Sequence, residues 1–426
     1  MEILAINPWI YDFAAYDFWL KPYGFLVLLS YLAKKGLNID YIDCLDKKEF
    51  LGSFGRGKYP AEIIKKPEIF KSIPRHFKRY GIALSEFLCR LARAKPDYIL
   101  ITSSMTYWYP AIKDIAHIVK EKFPKTPLII GGTYTSLCYE HAQRELPCDL
   151  ISKNSSLKEF FSYLGLEFNE EEFYSTLPQY DNFYTHLDYV VLRTSWGCPF
   201  NCSYCAINTL QPKFFKVPLK NIVEYILSYY RKGICDFILY DDAFLYDQQY
   251  CKNLLKEIVR SKIKVRFHTP NALHLRFLDA EIAQLLKKSG FINPHFGLET
   301  LQSRLQKLWG DKVNRDDLIN GISLLKKGGF KNGEFSVYLL LGYPGQDLKN
   351  LKEEALFINS LGAKVSLAEF SPVPHTEIFK HYKKSFSEPL LHNNSVFGFF
   401  RENKMREFWD TKNYVRQLNK DLRNNN

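Results

Sequence analysis

Short apolar runs of strand length alternate with amphipathic helical segments along most of this chain, and this alternation limits the fold more than any other feature of the sequence. Strands that alternate with helices need crossover connections, and such connections place the strands parallel in one sheet. The first series has strands predicted at 2–7, 39–44, 97–103, 127–130 and 150–151. Parallel sheets of this kind bind ligands at the carboxyl ends of their strands.

A second alternating series begins at residue 189. Its strands are predicted at 189–195, 237–240, 264–268, 293–298, 334–341 and 364–370. Six βα units are too few for a complete eight-stranded barrel. The fold class is therefore predicted as α/β: an N-terminal open Rossmann-like parallel sheet, then a partial (β/α)6 TIM-type barrel, then a small helical C-terminal tail.

The same pattern predicts the domain boundaries. Residues 166–188 are acidic, aromatic and weakly periodic, which indicates a linker. It separates a domain at 1–165 from the partial barrel at 189–376. Residues 377–426 form a predicted C-terminal helical extension, with a helix at 404–422 and a frayed end.

Composition excludes several classes of protein. Of the 426 residues, 46% are apolar and 24% are charged, which is ordinary for a globular protein and too apolar for a disordered one. No apolar run approaches the roughly 18–20 residues of a bilayer span. The N-terminus lacks a basic region before an apolar stretch, so no signal peptide is predicted. We expect a cytoplasmic protein with no membrane partner.

Most of the chain's net charge of +12 comes from one segment. Residues 47–95 hold 13 Lys and Arg against 4 Asp and Glu. We interpret this segment as a basic helical insert in the first domain. Such a patch can attract phosphates or nucleic acid, or it can be a solvated helical face. No RNA-binding signature accompanies it, so a nucleic-acid partner is not expected.

Three cysteines lie within eight residues, as C-x3-C-x2-C, directly after the first strand of the second series. Cys198, Cys202 and Cys205 would sit on a loop at the carboxyl mouth of the sheet. Three thiolates can hold three irons of a [4Fe–4S] cluster and leave the fourth iron open. A structural zinc site needs a fourth ligand nearby, and the next cysteine or histidine, Cys235, is far away. The remaining cysteines are not clustered and are expected to be inert.

The motif C-x3-C-x-aromatic-C, with Tyr204 at the aromatic position, resembles that of the radical SAM superfamily, and the resemblance covers most of residues 189–376. It implies that Cys198, Cys202 and Cys205 are catalytic and bind a [4Fe–4S] cluster. S-adenosylmethionine would chelate the open iron and be cleaved to methionine and a 5′-deoxyadenosyl radical. The resemblance also implies an external one-electron reductant, such as flavodoxin or ferredoxin.

Further positions match the parts of that family that hold S-adenosylmethionine. The backbone and a carboxylate of the turn after the second strand would receive the methionine ammonium, a glutamate after the fourth would bond the ribose hydroxyls, and late loops would bracket adenine mainly by backbone. Solvated acidic turns, a helix-entry glutamate or ordinary turns would explain the same residues. The predicted cofactor residues are Tyr204, Asp241, Asp242, Asn271, Glu299 and Pro372, with the loop 341–345.

The first domain resembles the B12-binding-like domain of one radical SAM subgroup. The resemblance implies cobalamin contacts at Asn7, Thr102, Ser103, Gly131 and Gly132, because glycines allow a flat macrocycle to approach the backbone and hydroxyls can bond its tail. The D-x-H-x-x-G motif of many cobalamin domains is absent. The alternative is a scaffold without cobalamin that only shapes the site.

The leading hypothesis is a radical SAM enzyme, with cobalamin-dependent methylation or a related modification of an unactivated carbon in an unknown small-molecule or peptide substrate. A tRNA methylthiotransferase is an alternative, but it would need a second cysteine triad starting where Asn7 stands, and a C-terminal RNA-binding barrel. A non-catalytic cobalamin or iron–sulfur protein, or a structural zinc protein, would each account for part of the pattern.

Overall fold

The structure is a computed structural model that describes residues 1–46, 48–343, 345–380, 386–396 and 405–424. These residues fall into two compact units. The first unit consists of 1–188, 209–212 and 386–395, and the second of 189–208, 213–380 with 396 and 405–424.

The strands, in chain order, are β1 Glu2–Asn7, β2 Ile10–Asp12, β3 Asn38–Asp43, β4 Phe50–Leu51, β5 Gly57–Lys58, β6 Ala61–Ile63, β7 Lys78–Tyr80, β8 Tyr98–Ser103, β9 Leu128–Gly132, β10 Leu150–Ile151, β11 Val190–Leu192, β12 Ser195–Trp196, β13 Phe215–Lys216, β14 Asp236–Leu239, β15 Arg266–His268, β16 His295–Glu299, β17 Ser336–Leu341 and β18 Lys364–Glu369.

The helices are α1 Tyr23–Lys34, α2 Leu84–Arg93, α3 Tyr109–Lys122, α4 Thr133–Leu137, α5 Tyr139–Glu145, α6 Leu157–Tyr163, α7 Glu170–Ser175, α8 Ile207–Leu210, α9 Leu219–Arg231, α10 Gln248–Arg260, α11 Ala280–Lys288, α12 Ser303–Leu308, α13 Arg315–Lys327, α14 Leu348–Ser360, α15 Glu377–Lys380 and α16 Met405–Asn424.

The first unit is built on a five-stranded sheet with the order β10-β9-β8-β1-β3, and every neighbouring pair is parallel. Its central strands are continuous apolar runs because helices cover both faces. Ile6, for example, is fully buried between Ile42 and Ile101 on the neighbouring strands. The predicted open parallel sheet is confirmed, with Asn7, Ser103 and Gly132 at the carboxyl ends of their strands.

The predicted helical character of the basic segment is wrong for most of its length. β6 and β7 form an antiparallel sheet with β2, β4 pairs with β5, and α2 is the one α-helix in the described part of 47–95. The basic side chains do not form a solvated helical face. Arg79 lies over the ring of Trp9 and Arg75 over that of Phe13, at 5.1 and 5.3 Å from the ring centroids. These cations cover aromatic surface, which is a favourable use of a guanidinium group.

The segment predicted as a linker, 166–188, is part of the first unit. Asn169 caps α7, and the ring of Phe173 packs edge-on against Tyr31 of α1 at 5.4 Å. Phe173 is only 4% exposed. The stretch was predicted as a linker because its apolar residues lack helical periodicity. Its aromatic residues are nevertheless buried, through separate contacts with the rest of the unit.

The C-terminal extension is divided between the two units. The predicted helix is confirmed as α16, although Lys404, Asn425 and Asn426 lie outside the described residues. The side chain of Asn419 bonds both the N–H and the carbonyl of Val365, at 2.9 and 2.8 Å, and so completes the edge of β18. Residues 386–395 instead join the first unit, where the amide of Asn393 donates to buried Asp12.

A buried histidine in this stretch makes the first unit sensitive to acid. His392 is 2% exposed, and its ring bonds the hydroxyl of Thr106 and the carbonyl of Phe386, both at 2.9 Å. Burial lowers the pKa of His392 to about 4. On acidification the unfolded chain takes up this proton first, so the free energy of unfolding falls as the pH drops from about 6.5 towards 4.

We expect that a His392→Gln variant, measured by thermal melting at pH 7.5 and 5.0, loses less melting temperature on acidification than the unaltered protein. An equal loss in both proteins would contradict this assignment.

The second unit carries the six parallel strands predicted for it. They form two three-stranded sheets, β11-β14-β15 and β16-β17-β18, which are joined by parallel bridges from Phe267 to Phe291 and from Leu273 to Phe296. Loops 193–205, 240–247, 269–274 and 370–376 therefore meet at the carboxyl ends of the strands. No helix among the described residues is long and apolar enough to cross a membrane.

Candidate active site

The cysteine loop follows the short strand β12, which pairs with β13 as an antiparallel hairpin. Gly197, with φ of +76°, turns the chain immediately before Cys198. The N–H of Cys205 donates to the carbonyl of Cys202 at 3.0 Å, and the N–H of Ile378 donates to the carbonyl of Ser203 at 3.2 Å. The loop is thus held by its own turn and by the segment after β18.

The three thiols influence one another. Burial raises the pKa of Cys198 to about 11, and charges on Asp242, Cys205 and Cys202 add to that rise. Burial likewise raises the pKa of Cys205. Without a metal the Cys198 thiol holds its proton at neutral pH, and a bound metal takes the place of that proton.

The described residues contain no group of three or more histidine, cysteine or acidic side chains gathered around a single ion. A [4Fe–4S] cluster does not require such a group, because each of its cysteines bonds a different iron.

Buried polar atoms without a hydrogen-bond partner concentrate at this loop. Among the described residues, such atoms include the hydroxyls of Ser203 and Tyr204 and both ring nitrogens of His274. Leaving such an atom unpaired costs about 1–3 kcal/mol, so native structures rarely do it. Since Ser203 and Tyr204 lie between two of the cysteines, the loop fits a bound group that supplies the missing partners.

Asp241 has a different environment from the predicted one. Its carboxylate is 4% exposed and accepts hydrogen bonds from the N–H and the hydroxyl of both Thr194 and Ser195, at 2.6–3.1 Å. Burial raises the pKa of Asp241, and the four donors oppose that rise. The side chain fixes the stretch that leads into the cysteine loop.

Asp242, the next residue, forms an ion pair with Arg193 at 2.6 Å, and both side chains are mostly buried. The two carboxylates after β14 therefore both bond the chain segment between β11 and the cysteines. The sequence suggested them as partners of a ligand ammonium, whereas Thr194, Ser195 and Arg193 gave no signal of their own.

Asn271 and Pro372 lie on loops at the same end of the strands. The amide of Asn271 donates to the carbonyl of Tyr240 at 3.0 Å and so ties the loop after β15 to the end of β14. Pro372 is buried in the loop 370–376, which continues into the segment that bonds Ser203. Of the predicted loop 341–345, Pro344 lies outside the described residues.

Glu299 ends β16 in a left-handed conformation with φ of +71°, which is rare for a residue with a side chain and is a feature of functional sites. Its carboxylate lies 3.7 Å from the ammonium of Lys312. It also lines a pocket together with Tyr204, the aromatic residue of the cysteine motif, and the other lining residues are Leu298, Gln306, Trp309, Lys312 and Val313.

The sequence did not point to the loop that closes this pocket. The amide of Gln306 donates to the carbonyls of Thr300 and Val313, both at 2.8 Å, and holds the loop against β16. Trp309 packs edge-on against Tyr204 at 5.9 Å. Residues 309–313 carry no motif, and only the path of the chain brings them to the cysteines.

In the first unit, the side chains predicted for cobalamin bond to the protein. Asn7 is 4% exposed and donates to Asp43 at 2.7 Å, and the Ser103 hydroxyl donates to the carbonyl of Gly131 at 2.7 Å. Thr102 is buried beside Ser103. The hydroxyl of Ser103 thus has a partner within the sheet.

The two glycines that end β9 differ. Gly132 has φ of +112°, and an added Cβ would lie 2.3 Å from the carbonyl oxygen of Ser103, so its need for glycine comes from the sheet. Around Gly131 the nearest atom to such a Cβ would be 3.5 Å away.

We expect Gly132→Ala to lower the free energy of unfolding by about 2 kcal/mol or more, and Gly131→Ala to change it little.

Chemical denaturation of both glycine variants checks this prediction. Equal stability losses in Gly132→Ala and Gly131→Ala would contradict the prediction, because only the Cβ at position 132 would clash with Ser103.

Comparison with known proteins agrees with this geometry. Residues 193–358 match the family model of the Radical SAM superfamily. An uncharacterised methyltransferase of Pyrococcus horikoshii is 20% identical over 340 residues, which are 70% of this chain and 72% of that protein. A ribosomal protein uS12 methylthiotransferase, RimO, of Clostridioides difficile is 22% identical over 57% of this chain and 53% of its own length. This chain thus matches about half the length of RimO.

Among solved structures, the radical S-adenosylmethionine methyltransferase TsrM of Kitasatospora setae, with cobalamin and a [4Fe–4S] cluster bound, has a TM-score of 0.64 at 16% identity. The match covers 90% of this chain and 78% of TsrM, and at this identity it shows a shared fold. The matched residues 193–358 contain the cysteine loop, both aspartates after β14 and Glu299. Residues 193–358 of this chain therefore form a radical SAM domain, and such a domain implies a [4Fe–4S] cluster and S-adenosylmethionine as cofactors.

Proposed function

We propose that this protein is a cobalamin-dependent radical SAM methyltransferase that modifies an unactivated carbon of a small-molecule or peptide substrate. The observation that carries the proposal is the cysteine loop. It joins three thiols, two buried unpaired hydroxyls and the Glu299 pocket at the carboxyl ends of parallel strands.

The residues have separate tasks in this proposal. Cys198, Cys202 and Cys205 hold the cluster, while Glu299 bonds the ribose of S-adenosylmethionine in the pocket next to Tyr204. Asp241 is a positioning residue, because its four protein donors leave it fixing the entry to the cysteine loop. Asp242, Asn271 and Pro372 shape the loops around the nucleotide.

When bound, the cluster supplies the electron that cleaves S-adenosylmethionine to methionine and a 5′-deoxyadenosyl radical, and cobalamin supplies a methyl group. The electron has to come from an external one-electron reductant, for which a flavodoxin or a ferredoxin is suited. The chain itself orients the bound groups and keeps water away. The aromatic wall of Tyr204 and Trp309 serves the second task.

The cobalamin part of the proposal is supported by the first unit. Its sheet has the shared fold and presents the ends of β1, β8 and β9 along one edge. Because the side chains of Asn7 and Ser103 already bond within the unit, we expect backbone groups to make most contacts at this edge. At Gly131 an added Cβ would lie at an ordinary contact distance of 3.5 Å from Ser152, so packing within the unit does not require a glycine there.

The test is anaerobic purification after expression with cobalamin supplied, followed by absorbance spectroscopy and by assay of 5′-deoxyadenosine after reduction. We expect corrin bands together with iron–sulfur absorbance, and formation of 5′-deoxyadenosine that depends on the reductant. Iron–sulfur absorbance without corrin bands would overturn the cobalamin part alone. Zinc in place of iron would overturn the whole proposal.

A methylthiotransferase is the second candidate, favoured by the similarity to RimO. That activity would need a second cluster in the first unit. There the four cysteines, Cys44, Cys89, Cys138 and Cys148, form no cluster in the sequence, and Cys44 is fully buried. Iron analysis separates the candidates, because one cluster binds four irons per chain and two clusters bind eight.

A further inference from the structure

A buried histidine without a partner lies beside the cysteine loop. His274 ends the loop after β15 and is 5% exposed, and neither of its ring nitrogens has a hydrogen-bond partner among the residues that the structure describes. An imidazole always carries at least one N–H donor. Its burial therefore leaves a hydrogen bond unmade within the protein.

The rings around His274 are aromatic. Its ring centroid is 4.9 Å from that of Phe200 and 4.8 Å from that of Phe277, and Tyr246 packs against both phenylalanines. Phe200 lies between Cys198 and Cys202 in the motif. His274 thus touches the cysteine loop at its centre.

A cation connects His274 with the rest of the site. Lys312 faces Glu299 at 3.7 Å. Its charge lowers the pKa of His274 and opposes the rise in the pKa of Cys205. Burial is the largest cause for the histidine, Lys312 and Arg276 add to it, and its pKa falls to about 3. The ring is therefore neutral at physiological pH, with one N–H to donate.

Packing alone does not explain a histidine here. A phenylalanine would fill an aromatic cluster without an unpaired polar group, whereas the histidine costs about 1–3 kcal/mol if no partner exists. The partner must therefore be something other than the protein side chains around it. The cluster that the cysteine loop would hold offers sulfur acceptors, and Phe200 of that loop lies against the histidine ring.

We propose that the buried imidazole of His274 donates its N–H to a sulfur of the iron–sulfur cluster held by Cys198, Cys202 and Cys205. This inference rests on the proposed function, and it gives the cluster a further positioning residue. A hydrogen bond to a cluster sulfur stabilises the reduced, more negative state and so raises the reduction potential. His274 would thereby set how readily the cluster accepts an electron from the external reductant.

The test is a redox titration of the cluster in the full-length protein without S-adenosylmethionine, followed by electron paramagnetic resonance. We expect His274→Phe, which fills the same aromatic space, to bind iron and to have a more negative midpoint potential than the unaltered protein. Phe277→Leu disturbs the same cluster of rings without removing an N–H, and it should leave the potential unchanged.

An iron-loaded His274→Phe protein with an unchanged potential would overturn the proposal. A loss of affinity for S-adenosylmethionine at unchanged potential would place His274 on the nucleotide and would also overturn it. If His274→Phe binds no iron, His274→Gln decides, because its amide N–H should restore both iron binding and a potential near that of the unaltered protein. Failure of the unaltered protein to bind iron would instead reject the proposed function.

Discussion

A Cys198→Ala variant is expected to lose the iron–sulfur absorbance of the reconstituted protein and all reductive cleavage of S-adenosylmethionine. Removing one of three thiolates leaves an iron without its protein ligand, and the two remaining cysteines cannot fix a cluster with one open position. The loss should be complete and should recur for Cys202→Ala and Cys205→Ala. Iron content, visible absorbance and 5′-deoxyadenosine formation measure it.

The matched control is Cys89→Ser. Cys89 is exposed on α2 in the first unit and belongs to no motif, so this variant should keep its iron and its activity. A Cys198→Ala protein that still contained four irons per chain would contradict the assignment of the triad. It would direct attention to the unclustered cysteines instead.

Asp241→Asn is expected to destabilise the second unit and to impair cluster binding. The amide can accept through its oxygen alone, and its NH2 group then faces donors of Thr194 and Ser195. With one or two buried donors left unpaired, the free energy of unfolding should fall by about 3 kcal/mol. Chemical denaturation of the full-length protein, in the absence of S-adenosylmethionine, measures this loss.

Asp242→Asn serves as the comparison, because its amide oxygen can still accept from Arg193 and the donors of Thr194 and Ser195 keep the Asp241 carboxylate, so we expect it to keep cluster binding. If Asp241→Asn leaves stability unchanged and weakens only the binding of S-adenosylmethionine, then Asp241 contacts the ligand directly. That result would restore the role that the sequence motif first suggested and would reject the positioning role.

Much of the architecture could be predicted from local patterns. The strands of both units recur close to their expected positions because buried parallel strands are continuous apolar runs, and this property needs no knowledge of distant contacts. Two predictions were wrong: the helical character of most of the basic segment 47–95, and the linker at 166–188. Their structure depends on partners that local patterns do not reveal: Arg79 covers Trp9, and Phe173 packs against Tyr31.

The cysteine triad was readable from the sequence because its ligands lie within eight residues on one loop, so their spacing alone brings them together. Glu299 was predicted as a site residue because its position at the end of the fourth strand resembles that of the family's glutamate. The chain alone could not reveal that Asp241 holds Thr194 and Ser195, that Lys312 faces Glu299, or that His274 is buried against Phe200 without a partner. These contacts join residues from 13 to 74 positions apart in the sequence. They form only because the parallel strands of the second unit bring their following loops together at the same end of the sheet.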